Sequence, residues 1–206
     1  MPACKHQALK SVSFNTDLSC IVCAFVQCGS SRGGYGVFST SIFSRLAWRE
    51  FSCGGFNHAE MFGHTNVLLL VGGTVAPPGF SDRSVTLYND ANEERMWEIR
   101  LPAPIIAVQC RRDLLVAVLE NKVVTYRIGP NFSNISYEFS ESTALNPAGI
   151  CALSANESTS QVTIHEIEMC VFRNSLISIE WLSCSRKLGQ MTVLSFLESN
   201  TAVIES

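Results

Sequence analysis

Three short apolar runs, Ile21–Val26, Val67–Val71 and Leu114–Leu119, begin 46 and 47 residues apart, and this near-constant step limits the fold more than any other feature. Each run has the length of a strand, is rich in β-branched residues and is bounded by polar residues or glycine. A second short strand is predicted before each, at Val12–Asn15, His58–Phe62 and Ile105–Cys110, and it repeats with the same steps. A third follows at Tyr35–Phe38, Val85–Tyr88 and Val123–Tyr126, each ending in an aromatic residue. A fourth, half-polar strand closes each unit at Leu46–Phe51, Met96–Leu101 and Ile135–Phe139.

Four strands recurring every 40 to 50 residues or so is the period of a β-propeller blade. The central runs are apolar on both faces, as a sheet lying between two other sheets requires. The last strand of the second unit, with Trp97, Glu98 and Arg100, alternates and is expected to face solvent. A β-sandwich also uses many short strands, but it rarely keeps a fixed step of this size. The reading is therefore all-β: an incomplete β-propeller of about three four-stranded blades plus a degenerate fourth. Residues 1–10 are expected to form an N-terminal arm, 11–154 the first three blades and the start of a fourth, and 155–206 a degenerate or poorly ordered C-terminal segment.

Composition narrows the function. Hydrophobic residues make up 47% of the chain and charged residues 16%, which suits buried strands and opposes bulk disorder. A net charge of −3 supplies no global field for nucleic acid or anionic lipid, so any phosphate contact must come from a local cluster. The longest clean apolar run is far shorter than the roughly 20 residues a membrane helix needs, and Met1–Lys10 lacks the apolar stretch of a signal peptide. Nine cysteines at scattered positions form no disulfide framework, so a reducing cytoplasmic setting is expected, in which the sequons at Asn131, Asn134 and Asn156 are incidental.

Cys20 and Cys23 have C-x-x-C spacing, but they lie along a predicted strand with no second Cys/His pair at a matching distance, so buried thiols are expected and no metal or cofactor. Gly33–Gly34–Tyr35–Gly36 precedes a strand rather than a helix and has no following Lys-Ser/Thr, so it reads as a hairpin turn and not a phosphate loop. His6, His58, His64 and His165 are dispersed; His58 and Glu60 share one strand face as a potential acid/base pair, yet no nucleophile accompanies them. No catalytic residue is assigned, and the chain is expected to bind partners rather than catalyse.

Several stretches are similar to one family. Ser13–Phe14–Asn15 with Asp17 and Ser19–Cys20, and Gly34–Tyr35–Gly36–Val37–Phe38 after them, resemble the first blade of the PROPPINs, the phosphoinositide-binding WD-repeat propellers of autophagy. Val71–Gly72–Gly73 with Pro77–Pro78 and Val85–Asn89 resembles their second blade. The run Arg111–Arg112–Asp113–Leu114 through Val123 is similar to their third nearly residue for residue, and Asn146–Pro147–Ala148–Gly149 through Ser154 to the opening of their fourth.

The resemblance implies a ring of about seven blades of which this chain carries about the first three, a scaffold role in autophagosome formation, and binding of phosphatidylinositol 3-phosphate. In that family the lipid is held by an L/F-R-R-G motif between the fifth and sixth blades. No such motif stands in this sequence; Phe172–Arg173–Asn174 is the nearest string, and Ile177–Glu180 through Ser185–Leu188 faintly resembles the opening of a later blade. Lipid-binding residues are therefore assigned to none, and any peripheral association with autophagic or endosomal membranes would be inherited by resemblance. Arg111 and Arg112 are the candidate partner-binding residues, because the family recruits other autophagy proteins at the rim of blades two and three. Self-association through open blade edges is a further expectation, and a WD-repeat interaction module without lipid binding is the alternative.

Overall fold

The structure, a computed structural model, describes residues 7–27, 31–153, 161–168, 180–187 and 190–195, the last three segments as backbone alone. Four antiparallel four-stranded sheets follow one another along the chain. The first contains β1 (Gln7–Phe14), β2 (Cys20–Gln27), β3 (Gly33–Ser39) and β4 (Arg45–Phe51). The second contains β5 (Phe56–Met61), β6 (Val67–Gly72), β7 (Ser84–Asn89) and β8 (Glu94–Arg100). The third contains β9 (Ala107–Arg111), β10 (Leu114–Leu119), β11 (Lys122–Ile128) and β12 (Ile135–Ser142). The fourth contains β13 (Cys151–Leu153), β14 (Gln161–Glu168), β15 (Glu180–Lys187) and β16 (Gln190–Ser195).

Within each sheet the strands lie side by side in chain order, and the first strands β1, β5, β9 and β13 touch in succession. This is the blade arrangement of a propeller, with the first strand innermost and the fourth outermost. The second strands are buried along their length in blades two and three, where β6 and β10 have no exposed residue. Their two faces fill two different seams. Leu68 and Leu70 face blade one while Leu69 and Val71 join the core shared with blade three.

Two boundaries differ from the sequence reading. The first strand begins at Gln7, four residues inside the segment expected as an arm, because it pairs with β2 as far as Gln27. The fourth sheet, the expected degenerate unit, pairs a first strand of only three residues with three longer ones, and Ser185–Arg186–Lys187 close its third strand rather than opening a later blade. Phe172–Arg173–Asn174 lies outside the described residues.

The link between β6 and β7 is packed rather than draped over the surface. Gly72 donates its amide to Ser81 O at 2.9 Å and Gly73 donates to Gly55 O at 2.8 Å. A Cβ on Gly72 would meet the Ala76 Cβ at 2.7 Å, so the Gly-Gly pair lets the loop fold back on its strand. Phe80 is thereby carried among Phe51, Phe56 and Tyr88.

One irregularity recurs. The pairing between third and fourth strands slips by a residue at Val37/Phe38, at Leu87/Tyr88 and at Thr125/Tyr126. The aromatic residue that closes each third strand in the sequence repeat therefore marks a bulge.

Candidate docking rim on the second and third blades

The β9–β10 hairpin carries the two arginines singled out in the sequence, and the structure separates them. Arg111, at the last position of β9, is 1% exposed, whereas Arg112 lies in the turn and is exposed. The Arg111 guanidinium donates from Nε to Asp113 Oδ1 at 2.6 Å and from Nη2 to Asp113 Oδ2 at 3.2 Å, a two-pronged pair. Of the two candidate partner-binding residues, Arg111 is thus held inside the blade against Asp113 and Arg112 stands at the surface.

Asp113 also lies 3.9 Å from Nη1 of Arg127, whose Nε and Nη2 donate to Glu138 at 2.9 and 3.0 Å. The Arg127 guanidinium holds the Glu138 carboxyl below its ordinary range. The network thus ties the end of β9 and the turn after it to β11 and β12 at one edge of blade three. Sequence reasoning missed Asp113, Arg127 and Glu138; only the i, i+2 spacing of Arg111 and Asp113 across a tight turn was there to be read.

The seam beneath this rim contains a second polar group. Glu60, on β5, accepts a hydrogen bond at 3.0 Å from the Cys110 amide on β9. Burial pushes its carboxyl up to about 8, against two opposing hydrogen bonds from Cys110. Burial likewise raises the Cys110 thiol, and it pushes the Cys151 thiol up to about 12, with the Glu60 charge adding to both. His58 is driven toward its neutral form by burial. Burial thus favours the protonated form of Glu60 and the neutral form of His58.

Cys20 and Cys23, an odd number of residues apart on β2, point to opposite faces of the sheet and cannot share a metal. Cys20 lies in the core against blade two, and burial raises the thiol of Cys23 on the other side. Cys20, Cys23, Cys53, Cys110 and Cys151 are all free thiols. No helix among the described residues is long and apolar enough to cross a membrane.

An open run of stacked four-stranded sheets, with innermost strands in contact and a charged rim at the turns, defines a β-propeller scaffold. No family model matches the chain. It is 31% identical over 156 residues to autophagy-related protein 18 of Mycosarcoma maydis, an alignment covering 75% of this chain and 32% of that protein. It is 28% identical over 198 residues to SVP1-like protein 2 of Schizosaccharomyces pombe, covering 95% of this chain and 46% of the relative. The chain thus spans less than half the length of these relatives. Among solved structures, Hsv2 of Kluyveromyces marxianus superposes with a TM-score of 0.62 at 13% identity, over 89% of this chain and 47% of that one. KlAtg21, solved in complex with the coiled coil of AgAtg16, superposes with a TM-score of 0.64 at 14% identity, over 94% and 57%. The chain belongs to the PROPPIN family of WD-repeat β-propellers.

Proposed function

We propose that this chain is a scaffold of autophagosome formation that recruits another autophagy protein through the rim of blades two and three. The observation that carries the reading is the division of labour between neighbouring arginines: Arg111 is locked to Asp113 inside the blade, so the turn is rigid and Arg112 stands at a fixed place on the surface. A fixed cation at an interface centre loses little freedom on binding and is a common hot spot. The complex of KlAtg21 with a coiled coil supports a protein partner of that kind, and acidic residues on it would complement the charge of Arg112.

The family's selective headgroup site is not part of this proposal, because the sequence lacks the L/F-R-R-G motif whose paired guanidiniums grip phosphate. Liposome flotation is expected to show no preference for phosphatidylinositol 3-phosphate over its unphosphorylated parent, and strong 3-phosphate selectivity would overturn this.

The docking reading is tested by titrating an Atg16-type coiled coil into the full chain. Arg112→Glu is expected to weaken binding by about tenfold or more while leaving the melting temperature unchanged. Equal affinity of variant and parent would discard the reading.

A further inference from the structure

A cleft of about 450 Å³ opens beside the outer strands of blade two, lined among others by Phe80, Arg83, Ser84, Arg95, Glu98 and Arg100. Three arginines meet there on a chain whose net charge is −3. The bulge explains how they meet. Tyr88 pairs with Arg95, Thr86 with Glu98 and Ser84 with Arg100, so the slip at Leu87/Tyr88 brings Arg95 onto the same face as Glu98 and Arg100. Without it, five residues of regular strand would put Arg95 and Arg100 on opposite faces.

The guanidiniums are partly held in place. Arg95 donates from Nη1 to Gly79 O at 2.6 Å and lies over the Phe80 ring at 5.8 Å. Arg100 donates from Nη2 to Glu98 Oε2 at 3.1 Å, and this bond lowers the Glu98 carboxyl from its ordinary value. Arg83 is exposed at the mouth. Ser84, 1% exposed, lines the floor of the cleft beside Glu98, and its hydroxyl helps to lower that carboxyl.

We infer that this cleft is a binding subsite for a phosphomonoester. Three guanidiniums and one carboxylate leave two positive charges, which match the charge of about −2 on such a group near neutral pH. Arginine forks with free N–H groups suit its several oxygens. The Ser84 hydroxyl stands at the floor, where its single proton can turn from Glu98 to a phosphate oxygen. A carboxylate ligand would leave part of that charge and donor set unused. The subsite is independent of the rim described above: it lies on β7 and β8, shares no residue with the Arg111–Glu138 network, and involves no L/F-R-R-G motif.

The test is a calorimetric titration of the full chain with inorganic phosphate, and separately with glycerol 3-phosphate, at pH 6 and pH 8. Binding is expected, and it is expected to be tighter at pH 8, where the second phosphate proton has left. Arg83→Gln and Arg95→Gln should each weaken it at least fivefold, and Ser84→Ala about twofold to threefold. Arg45→Gln on blade one should change nothing.

Phosphatidylcholine vesicles with and without phosphatidic acid separate the sources. Co-sedimentation that needs phosphatidic acid and is lost in Arg83→Gln assigns the subsite to a lipid headgroup; phosphate binding without vesicle binding assigns it to a soluble phosphoester. Absence of binding by phosphate, glycerol phosphate and vesicles alike, or binding indifferent to Arg83→Gln and Arg95→Gln, would overturn the inference. So would capture of a phosphopeptide when these small probes do not bind, since that would place the recognition in peptide contacts.

Discussion

The two best-defined seams of this molecule are built from different materials. Between blades one and two the core is aromatic: Tyr35, Phe56 and Tyr88 are buried with Phe51 and Phe80 against them, mostly edge to face. Short hydroxyl bonds stitch its inner strands, with Ser13 donating to Ala59 O at 2.9 Å and Ala59 N donating to Ser11 Oγ at 3.3 Å. Its outer end is closed by Asp90, which accepts from the Tyr35 hydroxyl at 2.7 Å and from Arg49 Nε at 2.8 Å. Between blades two and three the core is aliphatic, from Leu69, Val71, Val85 and Leu87 to Leu115, Ala117 and Leu119, and its inner polar contact is the carboxyl of Glu60. The first seam is thus fixed by the shapes of its rings and by hydroxyl and guanidinium hydrogen bonds. The second packs branched aliphatic side chains around a carboxyl that burial pushes toward its protonated form.

Four substitutions sharpen or break this contrast. Phe56→Ala removes a fully buried ring from the centre of the aromatic seam, and a loss of roughly 3–5 kcal/mol is expected in denaturant unfolding. A loss near 1 kcal/mol would mean that the ring cluster relaxes like an aliphatic core.

The next effect is a pH dependence confined to the second seam. The Glu60 carboxyl stands at about 8 in the fold against an ordinary value near 4.3, so the fold favours the protonated form. That contribution is complete below the ordinary value and is lost as pH rises through about 8. Glu60→Gln keeps an acceptor for the Cys110 amide but cannot ionise. It is expected to flatten the fall in stability between pH 5 and pH 8, with a difference on the order of 3 kcal/mol at the upper end. Parallel pH curves for variant and parent would refute a buried proton at this seam.

Tyr35→Phe should cost about 1 kcal/mol, because Asp90 keeps Arg49 when the hydroxyl bond is lost. The smallest change is expected on the face of blade one that no described neighbour covers. Phe14→Ser there, where the ring is 57% exposed, should shift stability by less than about 0.5 kcal/mol in the isolated chain.

That uncovered face shows how far the sequence could be read. The doubly apolar runs on β2, β6 and β10 announced sheets packed on both sides, and their fixed step announced blades. The run on β2 has the same composition, but the structure gives its two faces different fates. Cys20, Val22 and Ala24 lie against blade two. On the other side, Trp48 folds across Gly36 and stacks on Phe25 with ring centroids 4.3 Å apart, while Val12 and Phe14 stay exposed. Gly36 permits this because a Cβ there would meet the indole at 2.7 Å. The glycine-rich stretch 33–36 was read as a turn, yet it lies within β3 as the place where an aromatic side chain covers its own blade.

The rim was less legible than the strands. Arg111 and Arg112 stood out as a pair, but burial separates neighbours in a chain according to which way each side chain points at the end of a strand. The contacts that matter most at the seams, Cys110 to Glu60 and Ser13 to Ala59, join residues 50 and 46 positions apart. No local pattern marks such partners. They become visible only when the blades are stacked.

The slipped pairing that recurs along β4, β8 and β12 bears on how the molecule behaves in a crowded solution. These strands end their sheets, and a straight, unbroken sheet margin invites another chain to add itself by backbone pairing. A repeated kink, together with Arg45, Arg49 and Glu50 on one margin and Glu94, Arg95, Glu98 and Arg100 on another, leaves no long flat stretch for a stranger to zip onto. Each of the first three blades thus carries its own guard against fibre growth at its outer strand.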